Sequence, residues 1–162
     1  MDDMKTFVDP DALTVVIERT FDAPPELVWR VMNDPAMIPH YWGPAKYETI
    51  VEKMDFREGG EWRFVQRGPD GDEHGFHGVY TRIDAPREWG NTFNYKGIPS
   101  GHEMTETTVL ENLGDGRTKL TNSGVFLTLE DMEGMAASGA ESGARELYNR
   151  LEALLEKEMA GS

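Results

Sequence analysis

The stretch from Thr128 to about Met159 constrains the chain more than any other, because its period is helical throughout. Thr128 with Asp131 three residues later makes an N-terminal cap. Small and apolar residues then recur at Ala136, Ala140, Gly143/Ala144, Leu147, Leu151 and Leu154/Leu155, the rhythm of one buried helix face. Glu141, Arg145, Glu152 and Glu156 fall on the opposite side, and Glu141–Arg145 and Glu146–Arg150 are spaced as i, i+4 ion pairs. The spacing predicts one helix of roughly 30 residues and about 45 Å. Its inward stripe is small in the first half (Ala136, Gly139, Ala140, Gly143, Ala144) and large in the second (Leu147, Leu151, Leu154, Leu155). The large half fills a groove in a sheet. The small half fits either close backbone approach or a ligand cavity, since glycine inside a helix costs about 1 kcal/mol against alanine.

A helix with one apolar stripe needs a sheet to cover, and the preceding chain supplies one. Strand-like segments at 47–56, 61–67, 74–83, 88–96, 102–113 and 117–127 are separated by Gly/Pro turns such as Gly68-Pro69-Asp70-Gly71 and Gly97-Ile98-Pro99-Ser100-Gly101. Another strand, 13–21, precedes them, with Leu13, Val15, Ile17 and Phe21 on one face. Two short helices follow it, Glu26–Met32 behind Pro24-Pro25 and Ala36–Trp42 ahead of Gly43-Pro44. The expected fold class is therefore α+β: a curved antiparallel meander wrapped around a long C-terminal helix, with two short helices after the first strand. Residues 1–12 read as an N-terminal tail and 13–160 as a single domain.

The length of 162 residues suits one core, and a hydrophobic share of 38% places the chain among globular proteins. With no cysteine, thiolate catalysis, disulfides and Cys-ligated metals are excluded. A net charge of −14 repels phosphates, so neither nucleic acid nor an anionic membrane is an expected partner. No apolar run approaches a membrane span, and the acidic start MDDMKTFVDPD lacks a signal-like apolar region, so a cytoplasmic location is expected. His74 and His77 point to opposite faces of a strand, and no metal-ligating or phosphate-cradling motif occurs. No metal and no cofactor are expected.

Pairing across a Pro69–Asp72 turn sets Trp62 beside Val79 and Phe64 beside His77, which turns Trp62, Phe64, His77, Val79 and Ile83 inward. On the next strands Trp89, Phe93 and Tyr95 share a face with Met104 and Glu106. The candidate ligand-binding set is Trp42, Trp62, Phe64, His77, Phe93, Tyr95, Met104, Glu106, Met135 and Gly139. His77 serves there as a structural, ligand-orienting or general-base group. Glu106, if it faces inward, is a carboxyl whose pKa burial would raise. No residue is assigned as catalytic.

Several short stretches carry a resemblance. Glu18-Arg-Thr-Phe-Asp-Ala-Pro-Pro-Glu-Leu-Val-Trp29, Tyr41-Trp-Gly-Pro44, Glu58-Gly-Gly-Glu-Trp-Arg-Phe64, Phe76-His-Gly-Val-Tyr80 and Ala137-Ser-Gly-Ala-Glu-Ser-Gly143 stand in the expected order. In these the chain resembles the START-like (SRPBCC) superfamily, in the branch named for activators of heat-shock-protein ATPase. The resemblance implies a stand-alone helix-grip domain with a deep, mostly apolar pocket whose mouth is near Tyr41-Trp42. It does not imply one activity. The expected function is binding of a small hydrophobic or aromatic ligand, lipid- or polyketide-like, between sheet and helix. A polyketide cyclase or dehydratase using His77, Glu106 or Tyr95 is one alternative, a chaperone-ATPase-activator-like interaction protein the other. A homodimer is left open.

Overall fold

A computed structural model describes residues 3–98 and 101–161. In chain order the elements are β1 (Lys5–Asp9), β2 (Thr14–Phe21), α1 (Pro25–Met32), α2 (Ile38–Tyr41), β3 (Glu48–Met54), β4 (Glu61–Arg67), β5 (Glu73–Asp84), β6 (Glu88–Tyr95), β7 (Met104–Gly114), β8 (Arg117–Val125), α3 (Leu129–Ala137) and α4 (Ala140–Ala160). The strands form one antiparallel sheet in the order β1-β2-β8-β7-β6-β5-β4-β3. Helix α4 lies against its inner face, which is the helix-grip arrangement. Pro25 opens α1, where its missing N–H would have had no partner in any case.

Two expectations about the ends of the chain are corrected. The stretch read as a tail contains β1, which pairs with β2 from Lys5↔Glu18 to Asp9↔Thr14 and forms one edge of the sheet. The apolar content of this strand, Phe7-Val8 between Lys5-Thr6 and Asp9, is too short to stand out beside the flanking acids. The single long helix is two. Asp131 N–H donates to Thr128 Oγ1 (3.1 Å), so the expected cap is present, but α3 ends at Ala137 and α4 begins at Ala140. Gly139 between them has φ +86°, a left-handed conformation that ends one helix and lets the next leave in a new direction. Apolar periodicity runs through such a break, because both helices face the same sheet. Of the Gly97–Gly101 loop, Pro99 and Ser100 lie outside the described residues.

The register of the β4–β5 hairpin also departs from expectation. A four-residue loop 69–72 would pair 68 with 73. Instead Gly68 N–H donates to Asp72 O (2.8 Å) and Gly71 N–H to Gly68 O (3.1 Å), leaving a three-residue tip with Gly71 at φ +84°. Three-residue tips of this kind place their last residue in the left-handed region. An odd tip slips the register by one, and a slip of one turns every β5 side chain to the other face. Trp62 therefore pairs with Gly78 and Phe64 with Phe76, while His77 lies opposite Arg63. Phe76, Gly78 and Tyr80 point inward, and His77 and Val79 are exposed. A bulge between Tyr80 and Arg82 then resets the phase, so Ile83 reaches the core as expected.

The core is divided along the axis of α4. At one end Leu151 and Leu155 pack with Phe21, Val28, Val31, Leu110 and Leu120, all buried. At the other end the helix presents Ala140, Gly143, Ala144 and Leu147 to open space. A Cβ added at Gly143 would meet no atom within 4 Å. Of the two readings of the small stripe, close backbone approach is thereby excluded at this glycine.

Candidate functional site: an aromatic cavity with an acidic floor

The open space is a cavity of about 740 Å³ between the sheet and helices α2, α3 and α4. Its walls are built by period-2 alternation on the central strands. Strand β4 contributes Trp62 and Phe64, β5 contributes Phe76 and Tyr80, and β6 contributes Trp89, Asn91 and Phe93. From β7 come Met104, Glu106 and Thr108, from β8 Asn122 and Gly124, and from β2 Val15 and Ile17. Trp42, at the C-terminus of α2, closes one end with its ring edge-on to Phe64 and Phe76, 5.2 Å from each centroid. Two side chains of α4 hold that end: Arg150 Nη1 donates to Gly43 O (2.6 Å) and Ala45 N–H donates to Glu146 Oε2 (2.7 Å). The expected Glu146–Arg150 pair is thus turned to the loop after α2. Glu141 and Arg145 do approach one another, at 4.0 Å. Helix α3 covers the mouth with Leu129, Met132, Glu133, Met135 and Ala136.

The floor carries the polar groups. Asn91 stands opposite Glu106 across β6–β7, and Thr108 opposite Asn122 across β7–β8. Asn91 Nδ2 donates to Glu106 Oε1 (3.2 Å) and Asn122 Nδ2 to Glu106 Oε2 (3.5 Å) and Thr108 Oγ1 (3.1 Å). Loss of solvent among apolar walls raises the Glu106 pKa above the ordinary carboxylate value, and the two amide hydrogen bonds offset part of that rise. Burial likewise raises the Tyr148 phenol, helped by the Glu106 charge and opposed by Arg19.

Below this floor the solid core begins, and its boundary is also polar. Arg19 lies in phase with Val15, Ile17 and Phe21, its side chain fully buried. Its Nη2 pairs with Glu152 Oε2 at 3.1 Å, and its guanidinium lies 5.6 Å from the Phe21 ring centroid. Glu152 was expected on the solvent side of the helix; it is half-buried because it faces this guanidinium.

Of the residues singled out from sequence, Trp42, Trp62, Phe64, Phe93, Met104, Glu106 and Met135 line the cavity. His77, Tyr95 and Gly139 do not. His77 points outward through the register slip described above. Tyr95 keeps the inward phase of β6 but lies beyond the cavity, its ring against Phe76 (5.3 Å) and its hydroxyl hydrogen-bonded to His74 Nδ1. Gly139 is the exposed junction of α3 and α4. Sequence reasoning passed over Asn91, Thr108, Asn122, Arg19 and Tyr148. The signal was present for the first four, since each is a polar residue in the inward phase of a strand. Among the described residues no group of His, Asp and Glu is arranged to hold a metal ion, and no helix is long and apolar enough to cross a membrane.

Comparison with known structures extends this description. A protein from Arthrobacter aurescens is 30% identical, with a TM-score of 0.87 over 94% of this chain and 91% of its own. A Mycobacterium smegmatis protein is 26% identical, with a TM-score of 0.84 over 93% and 95%. A Rhodobacter sphaeroides protein at 24% identity shares the fold, with a TM-score of 0.87 over 96% and 99%. Comparison with curated proteins gives no match. The family model described as "Activator of Hsp90 ATPase homolog 1-like protein" matches residues 22–156, most of the chain. The chain therefore belongs to the family of Activator of Hsp90 ATPase homolog 1-like proteins.

Proposed function

We propose that this protein binds a small hydrophobic or aromatic molecule inside the cavity. The observation that carries the reading is the cavity itself: about 740 Å³, walled mainly by aromatic and aliphatic side chains, with polar groups gathered at one place on the floor. Ligand sites are typically clefts of about 300–1,000 Å³, mostly apolar, with a few convergent polar groups that fix orientation. Sequence supports the same reading independently, because the helix facing this space places Ala140, Gly143 and Ala144 there and keeps Leu151, Leu154 and Leu155 elsewhere.

The enzyme alternative loses two of its three candidate groups. His77 and Tyr95 do not line the cavity, so Glu106 alone remains of the acid–base set. The chaperone-activator alternative rests on the family's description, and no feature of the cavity favours it. The test is titration of the intact protein with N-phenyl-1-naphthylamine, a neutral apolar fluorophore. Saturable one-to-one uptake, with quenching of the cavity tryptophans, is expected. Absence of saturable uptake up to the solubility limit of the probe overturns the reading and moves the interaction role ahead.

A further inference from the structure

The charged side chains lining the cavity are all of one sign. Among the described residues they are Glu106 on the floor and Glu133 and Glu141 at the mouth, with no lysine, arginine or histidine. Arg145 lies 4.0 Å from Glu141 outside the lining and offsets part of its charge; Arg19 lies beneath the floor, paired with Glu152. The field of the whole chain adds to this, since the net charge is −14.

Around Glu106 the floor cluster is also one-sided in its hydrogen bonding. The side-chain NH₂ groups of Asn91 and Asn122 are turned to the Glu106 carboxylate. A carboxylate has about four lone-pair sites and each amide oxygen two. At Glu106 the cluster therefore offers a ligand acceptor capacity, whose complement is a donor; the Thr108 hydroxyl, which accepts from Asn122, keeps its own O–H. Aromatic side chains stand near it as well. Trp89 and Phe93 sit two residues either side of Asn91 on β6, diagonal to Glu106 across the strand pair. A cation held by Glu106 has these two aromatic side chains as its strand neighbours, the residue type that favours cations. A neutral hydroxyl can donate to the carboxylate but brings no charge of its own to attract the glutamates, and an anion is repelled by all three.

We propose that the ligand is a lipophilic amine, an apolar and largely aromatic body bearing one protonated nitrogen that docks on the Glu106 carboxylate. This rests on the cavity-binding reading above, and the test separates the two. The intact protein is titrated with 4-phenylbenzylamine, 4-phenylbenzyl alcohol and biphenyl-4-carboxylate, matched bodies that differ in the end group. Tryptophan fluorescence reports binding, because Trp42, Trp62 and Trp89 line the cavity. The amine is expected to bind about tenfold or more tighter than the alcohol, because both partners of its hydrogen bond are ionised whereas the alcohol brings no charge to the carboxylate, and the carboxylate weakest of all. Glu106→Gln should weaken the amine more than the alcohol and remove the roughly tenfold preference for the amine. If alcohol and amine bind equally, or the amine preference survives Glu106→Gln, the amine proposal fails while the cavity reading stands. If no probe binds, both fail. The order of the three probes on the unmodified protein decides the matter should Glu106→Gln not fold.

Discussion

At Glu106 two effects oppose one another: apolar walls disfavour the carboxylate, and the amides of Asn91 and Asn122 favour it. The first is larger, so the folded-state pKa lies above the ordinary value of 4.5. The folded protein then holds this proton to higher pH than the unfolded chain does. By linkage, the carboxyl's contribution is fully present below about 4.5 and is lost as pH rises through the folded-state pKa. Glu106→Gln removes the loss. Its stability relative to the parent should increase between pH 4 and neutrality, as measured by denaturant unfolding across that range; a difference that shrinks with rising pH would mean the carboxylate is stabilised in place. His77 gives the opposite expectation. It is exposed on the outer face, so His77→Ala should alter stability by no more than about 0.5 kcal/mol and leave N-phenyl-1-naphthylamine uptake unchanged. Both residues were legible as strand positions. Only the phase of Glu106 was recoverable, because the β6–β7 face is marked by Trp89 and Phe93, whereas the phase of β5 hangs on whether the Gly68–Asp72 turn has a tip of three residues or four.

For elements, sequence disclosed composition better than continuity. The β4 strand was located at Glu61–Arg67 and the cap at Thr128. The break at Gly139 was not, because glycine inside an apolar stripe signals close packing, open space or a stop equally well. The two glycines now separate. Gly143 lies inside α4, and an added Cβ there meets nothing within 4 Å, so Gly143→Ala should stabilise by about 1 kcal/mol through helix propensity alone. Gly139 has φ +86°, so Gly139→Ala should destabilise by about 1 kcal/mol despite equal room. Thermal unfolding of the pair checks both signs; the same sign for both would mean that the α3–α4 junction is misplaced. The Arg19–Glu152 contact ties β2 to α4 at the lower boundary of the cavity. Arginine within a β-strand's apolar phase was the available signal, and it was obscured by the polar Glu18 and Thr20 on either side.

The whole molecule is a sheet gripping a helix of unequal halves, solid below Tyr148 and hollow above it. That division was legible in the order of small and large residues along the helix. Of the polar floor only Glu106 was singled out, because Asn91, Thr108 and Asn122 join it by cross-strand pairing across β6, β7 and β8 and each alone reads as an ordinary polar strand residue. The central claim, that the hollow half is a binding space, is tested most directly by one comparison: denaturant unfolding and N-phenyl-1-naphthylamine titration of Ala140→Leu beside Leu151→Ala. Ala140 lines the cavity, so a leucine there should enter open space, change stability by less than about 1 kcal/mol and weaken probe uptake by displacing it. Leu151 is fully buried, and its truncation should cost about 2–5 kcal/mol while leaving probe affinity per folded molecule unchanged. An Ala140→Leu variant destabilised by about 1–3 kcal/mol, as overpacking requires, with probe affinity equal to that of the parent would contradict the account.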